Sequence, residues 1–390
     1  MKRLVLAAVG ITSAAASLAA WSAGTPAGAA PSGAAHRSAA VCAAAPAGYA
    51  ACAARVVLDS SGKPAVTPAP AGYGPADIRS AYGLTSATGG GRTVAIVDAY
   101  DDPTAEADLG VYRSKYGLTA CTTANGCFRK VNQGGATSPL PKANAGWATE
   151  ISLDVDMVSA TCPDCKILLV EASSASFTDL GTAVNSAARL GATAISNSYG
   201  GSDSAALSAY DHPGIAITAS TGDSGYGVES PASFDSVVAV GGTSLKKAGT
   251  ARGWAETAWS GAGSGCSTKN AKPSWQTSAT QCSGKANADV SAIADPNTGV
   301  AVYDSTRYQG RSGWQVYGGT SVSSPIVASV YAMSGNVAGY PASYTWAHSS
   351  ALNDVTSGSN GTCAPSVLCT AGAGWDGPTG LGTPNGTSGF

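Results

Sequence analysis

Histidine is almost missing from this chain, with three among 390 residues. A hydrolase that relies on an imidazole base therefore has little to draw on. His36 lies in an Ala/Pro-rich N-terminal stretch, His212 in the turn-like YDHPG, and His348 in the late loop TWAHSS. Only His212 has an acid beside it, Asp211, which leaves a Ser–His–Asp esterase as a thin alternative. Charge is scarce as well. Charged residues make up 12% of the chain, about half the usual share of a soluble domain. The formal net charge is −2 and Lys and Arg form no run, so nucleic-acid binding has no electrostatic support. Few carboxylate–cation pairs also means few to lose in acid. Beyond the N-terminus no apolar run is long enough to span a bilayer, and a stable membrane anchor is not expected.

What is present points to export. MKR supplies a positive start, LVLAAVGITSAAASLAA an apolar stretch, and AGTPAGAA an A-x-A-like cleavage site near Ala29. Residues 1–29 thus read as a signal peptide, and a secreted product is expected. Residues 30–72, rich in Ala, Pro and Gly with one short apolar stretch, RVVL, read as a short pro-segment or linker. Residues 73–390 read as a single domain. The ten cysteines fall into five close pairs, 42/52, 121/127, 162/165, 266/282 and 363/369. In an oxidising compartment nearest-neighbour disulfides are the preferred pairing. CPDC (162–165) follows a predicted helix and precedes a strand, whereas a redox CxxC starts a helix.

From Tyr73 onward the pattern is regular. TVAIVD (93–98) and KILLVEA (166–172) read as buried strands. PTAEADLGVYRSKYG and FTDLGTAVNSAARLGA (177–192) read as helices, and ATAISNS, GIAITAS and SVVAVGG as short β-rich runs. Strands alternating with helices predict an α/β fold whose mostly parallel sheet is flanked by helices. Active sites in such sheets gather beyond the C-terminal strand ends. With 44% hydrophobic residues a substantial core is available.

GGTS occurs twice, at 241–244 and 318–321. The first runs into LKKAG, which lacks helical periodicity. The second is followed by Val322, Ile326, Val327 and Val330, one face of a helix. Ser321 would stand at that helix N-terminus, where free amides and the dipole favour developing negative charge. A plain N-cap serine fits the same pattern.

The base must come from elsewhere. In GWATEISLDVDMV (146–158), Glu150 and Asp154 lie four apart on a predicted helix, beside an apolar stripe of Trp147, Ile151, Val155 and Val158. Two carboxyls at that distance resist ionising together, so one pKa rises and the pair can hold a proton. Two solvated surface acids would show the same spacing. Asp223, in ITASTGDSGYG (217–227), ends a buried strand. Protonated, it could donate to an oxyanion; it could also be an ordinary turn aspartate.

Taken together these stretches resemble the sedolisin family, the serine-carboxyl peptidases with a subtilisin-like three-layer fold. ATEISLD, SNSYGG, STGDSG, VVAVGGTS, ADVSAIADPNTG and GGTSVSSP occur in the family's order. The resemblance runs from GYGPADIRSAYGL (72–84) to GWDGPTGLGTP (374–384). It implies Ser321 as nucleophile, Glu150 as base, Asp154 as its orienting partner and Asp223 as the oxyanion acid. It implies an acid-active endopeptidase acting on polypeptides through an acyl-enzyme. SNSYGG, with Ser198, Tyr199 and Gly200, would be the strand that pairs with the substrate backbone. Asp98 would contact the network, through Tyr199. LNDVTSG and AGAGWDG resemble the family's calcium site, with Ca²⁺ held by the carboxylates of Asp354 and Asp376 and the carbonyls of Val355, Gly372 and Gly374. A monomer is expected. The rival reading is a non-catalytic exported binding or surface protein on the same fold. One departure stands out: the family carries a long folded pro-domain, and here only residues 30–72 stand in its place.

Overall fold

The strand Thr93–Ala99 has lost the alternation of a one-sided strand. Every residue from Val94 to Ala99 is buried, because helices cover both faces of the sheet it centres. The computed structural model describes residues 36–336 and 339–390, together with Met1. The expected export signal at 1–29 thus lies, Met1 apart, outside the described residues, as does the start of the expected pro-segment.

The chain enters through three short strands, β1 (Ser38–Ala40), β2 (Ala51–Cys52) and β3 (Arg55–Val57). Helix α1 (Pro75–Ala81) leads into an alternating run. This comprises β4 (Thr93–Ala99), α2 (Ala105–Lys115), β5 (Phe128–Asn132), α3 (Ala145–Thr161), β6 (Lys166–Ala172), α4 (Phe177–Arg189) and β7 (Ala194–Asn197). β8 (Tyr199–Ser202), β9 (Ala216–Ser220), β10 (Glu229–Ser230), β11 (Val238–Lys247) and β12 (Trp254–Ala258) follow. Then come a ribbon of β13 (Gly265–Ala271) and β14 (Gly284–Asn287), β15 (Val290–Ile293), a hairpin of β16 (Val300–Tyr308) and β17 (Arg311–Gly318), and α5 (Thr320–Ser334).

The central sheet runs β12-β11-β9-β7-β4-β6-β5, with β15 also beside β11. Every pairing in it is parallel except that of β11 with the edge strand β12. α3 and α5 pack against each other and on β4, while α4 packs on β4, β6 and β7. This is the mostly parallel α/β sheet flanked by helices that the alternating pattern predicts, in the subtilisin-like three-layer arrangement that the family resemblance implies.

Local signals account for the two helices that matter most. Asn144 caps α3 by accepting from the amides of Gly146 and Trp147. From Trp147 to Thr161 every residue of α3 is buried, since it lies between layers rather than on the surface. The acids at 150 and 154 are therefore not solvated. α5 begins after Gly319, whose φ of 99° is a left-handed value that glycine adopts without strain. Pro325 lacks the amide that would bond the Ser321 carbonyl within the helix; the Ser198 hydroxyl lies 3.4 Å from that carbonyl instead. The two GGTS copies diverge as predicted, the first lying inside β11 and the second entering α5.

All five cysteine pairs close as nearest-neighbour disulfides, and Cys162–Cys165 joins the end of α3 to β6. Among the described residues no helix is long and apolar enough to cross a membrane. Residues 36–72 are folded onto the body. β1 and β3 extend the β16–β17 hairpin into a four-stranded sheet, and β2 pairs with β8.

Candidate active site

One turn of α3 places Glu150 and Asp154 on the face that meets α5, both fully buried. Asp98, near the C-terminal end of β4, is buried beside them. Burial pushes all three carboxyls well above the ordinary range. For Glu150 the neighbouring Asp154 adds to that, while the Ser321 hydroxyl pulls the other way. For Asp98 the additions come from Asp154, Glu150 and Glu171. Asp154 is raised by burial and partly relieved by the Ser198 hydroxyl, which donates to its Oδ1 at 2.7 Å. Such a trio holds few negative charges at once, so at least one proton stays shared within it.

Ser321 sits at the second residue of α5, fully buried. Its hydroxyl faces the Ser198 carbonyl at 3.2 Å. Neither oxygen of Glu150 accepts a well-formed hydrogen bond, yet the Ser321 hydroxyl and the Ala54 amide both lie near enough to lower its pKa.

Asp223 follows β9 on the other side of α5. Its Oδ1 accepts from the Thr320 amide at 2.8 Å and hydroxyl at 2.9 Å. Its Oδ2 has no partner. Burial pushes its pKa up to about 7 against those two hydrogen bonds. Below that value the free oxygen carries a proton it can donate.

The residues expected to bind a substrate backbone are already paired. Tyr199 and Gly200 of β8 match Cys52 and Ala51 of β2 in antiparallel register. The Ser198 carbonyl accepts from the Ala53 amide at 3.1 Å. The expected relay from Asp98 through Tyr199 is not made. The Tyr199 hydroxyl bonds Asn197 at 2.7 Å and Tyr210 at 3.0 Å, and both Asp98 oxygens lack partners. Asp98 reaches Asp154 and Glu150 through charge alone.

Glu229 is a residue that sequence reasoning missed. It lies at the edge of a cavity of about 430 Å³ that also borders Gly200, Gly201, Asp223 and Val228. Burial, with Asp223 second, pushes its pKa up to about 7. A Cβ on either Gly200 or Gly222 would run into its carboxyl, so those glycines make room for it. An acid six residues after Asp223 carries no periodic signal; only the fold brings it to the cleft.

The histidines take no part. His212 contacts Asn185 at 3.0 Å and His348 the Tyr344 carbonyl at 2.8 Å, while Asp211 accepts from Tyr340 rather than from His212. In the C-terminal loop, Asp354 accepts from the Gly374 amide at 2.9 Å and Asp376 from the Gly372 amide at 3.2 Å. The Asp376 pKa rises to about 7, mainly through burial and with Asp354 contributing. Among the described residues no three His, Cys, Asp or Glu side chains cluster as a metal site. The two carboxylates are hard oxygen donors whose charges act on each other, and acids held close gain from a cation between them.

Comparison with known proteins agrees with this geometry. Residues 142–367 match the model of the subtilase family. Kumamolisin of Bacillus sp. (strain MN-32) is 30% identical over 367 residues, covering 82% of this chain and 63% of kumamolisin. Sedolisin of Pseudomonas sp. (strain 101) is 34% identical over 177 residues, covering 40% of this chain and 29% of sedolisin. The chain thus spans less than two thirds of the length of these curated relatives. Among solved structures, Pseudomonas sedolisin, a serine-carboxyl proteinase complexed with two molecules of pseudo-iodotyrostatin, superposes with a TM-score of 0.68 at 27% identity. That match covers 82% of this chain and 96% of that one. A lanthipeptide protease shares the fold, at a TM-score of 0.51 and 13% identity. The chain belongs to the subtilase family and, within it, to the sedolisins.

Proposed function

We propose that the protein is a secreted, acid-active serine-carboxyl endopeptidase that hydrolyses polypeptides through an acyl-enzyme. Ser321 attacks the peptide carbonyl while Glu150 takes its proton, and Asp154, held by Ser198, orients Glu150 and shares the proton. The Ser321 amide and the protonated Asp223 stabilise the oxyanion. Glu150 then passes its proton to the leaving amine, and water releases the acyl group. A substrate backbone pairs with Ser198, Tyr199 and Gly200 by strand addition. Export through residues 1–29 fits the five disulfides, which persist in an oxidising compartment.

The observation that carries this reading is the meeting, at one buried helix start, of a serine hydroxyl, a carboxyl trio and an unpartnered acid oxygen. The test is cleavage of denatured casein across pH 3–9. Acid proteolysis lost in Ser321→Ala is the expected result. Intact casein at every pH, with folded protein, favours the non-catalytic binding protein instead.

We assign Ca²⁺ to the C-terminal loop, held by Asp354 and Asp376 with the carbonyls of Val355, Gly372 and Gly374. Bound there, the ion would neutralise the paired carboxylates and pin the loop.

A further inference from the structure

Asp223 stands in a loop that is otherwise open to solvent. Ser224, Tyr226 and Gly227 are exposed, and Asp223 itself is only half-buried. On the α5 side Thr320 holds its Oδ1. Residues 222–227 belong to no strand or helix, so whatever fixes their other side decides where the free Oδ2 points.

That side is a strip of four residues, 261–264. The Gly225 amide donates to the Gly261 carbonyl and the Gly263 amide to the Gly222 carbonyl, both at 2.9 Å. Gly227 and Ser264 exchange both backbone bonds, at 2.9 and 3.0 Å. The approach is close enough that a Cβ on Gly263 would collide with the Thr221 carbonyl. Behind the strip lies one side chain, that of Asn360, which is 5% exposed. Its Nδ2 donates to the Ala262 carbonyl at 2.5 Å and to the Ser264 hydroxyl at 2.8 Å. That hydroxyl donates onward to the Leu368 carbonyl at 2.6 Å. The Asn360 carbonyl accepts from the Tyr226 amide at 3.0 Å, so the same residue also grips the loop directly. Its own amide donates to the carbonyl of Cys369 at 3.0 Å, and Cys369 is bridged to Cys363.

We propose that Asn360 is a positioning residue for catalysis: through the 261–264 strip and the Tyr226 amide it holds the Asp223 loop shut against α5, so that Oδ2 is aimed at the oxyanion. The inference rests on the peptidase reading above and deepens it. An exposed loop held only by backbone bonds to another loop opens locally at little cost. Asn360 adds bonds that opening must break, each worth about 1 kcal/mol net. Its amide nitrogen has two protons and spends both on the strip. The precision matters because an oxyanion donor acts at about 2.7–3.1 Å, and a misplacement of about 1 Å costs about 10²-fold.

Closure also keeps water from Asp223. Burial is the main cause of its raised pKa, so a looser loop lets that value fall back towards 3.8, and the acid loses its proton earlier as pH rises. The charged groups around Asp223 are Arg55 of β3, Glu229 of β10 and Glu150 of α3. Asn360 hydrogen-bonds none of them. A change at 360 therefore reaches Asp223 through the loop.

The test measures kcat and KM for a peptide from pH 3 to 9 in wild type, Asn360→Ala, Asp223→Asn and the double variant. Asn360→Ala should lower kcat at pH 4 by about tenfold or more and move the alkaline limb of kcat to lower pH by about half a unit or more. In the Asp223→Asn background, where the amide donates at every pH, Asn360→Ala should still lower kcat but leave the limb in place. A folded Asn360→Ala with wild-type kcat and limb overturns the inference and leaves the peptidase reading standing. A lower kcat with an unmoved limb overturns it too, since general loosening of the fold would do the same. So does a limb that moves as far without Asp223, because the shift then comes through another group. Ser264→Ala, which removes one of the Asn360 bonds, should move the limb in the same direction by less. Should Asn360→Ala fail to fold, the Ser264→Ala limb decides: a shift to lower pH supports the inference and a wild-type limb overturns it. Folded wild type that cuts no peptide at any pH overturns the peptidase reading itself.

Discussion

Replacing Asp223 by Asn tests whether protonation of one acid sets the alkaline limit of activity. The amide keeps the shape and donates at every pH, whereas the acid donates only while protonated. The wild-type pKa is pushed up to about 7 from the ordinary 3.8 by burial. At pH 8 roughly a tenth of Asp223 would be protonated, so the variant should outpace wild type about tenfold there, relative to their ratio at pH 5. Stability carries a second signature. A folded-state pKa above the unfolded one contributes stability that is complete below about pH 3.8 and is lost as pH rises through about 7. The gap of about three units sets an upper bound of about 4 kcal/mol, reduced by solvent screening because the group is only partly buried. Urea unfolding in a Ser321→Ala background, which prevents self-cleavage, should show up to that much less loss between pH 3 and pH 8 in the variant. Peptide kcat/KM from pH 3 to 9 supplies the kinetic arm. An unchanged alkaline limb in Asp223→Asn would refute the assignment of the oxyanion acid.

Glu150→Gln should keep the fold, since it removes a buried acid from a crowded trio, and lower kcat by about 10²–10⁴-fold; near-native turnover would remove the base. Ser198→Ala deletes the hydroxyl that holds the Asp154 pKa down. The acidic limb of kcat should move to higher pH, by less than one unit for a hydrogen bond of about 1 kcal/mol; a fixed limb detaches Asp154 from the relay. Chelation at neutral pH should lower Tm by several degrees, and Asp354→Ala should lower it without chelator; a Tm indifferent to both removes the calcium. Gly319→Ala should destabilise by about 1 kcal/mol or more, because φ is 99° there and the added Cβ meets Ala53 and Asp223. Unchanged unfolding would show that the helix start tolerates a side chain.

Much of this protein can be read in local patterns. The spacing of residues 146–158 predicts α3 and puts Glu150 and Asp154 on one side of it. The apolar face after Ser321 separates the helical GGTS from the strand copy. Cysteine spacing predicts all five disulfides, since the cysteines of each bridge lie close in the chain. These features are legible because each depends on residues a few positions apart, which one helix or one loop brings together. The tertiary structure decided what periodicity cannot report. It buried the acids of α3, turning two ordinary carboxylates into a proton-sharing trio with Asp98. It set Glu229 against Gly200 and Gly222, and turned the Tyr199 hydroxyl towards Tyr210 rather than Asp98. Above all it threaded residues 50–57 between β8 and β17. An Ala-rich stretch carries too little side-chain information to declare a docking site, and its place is decided by backbone hydrogen bonds to strands some 150 and 260 residues away.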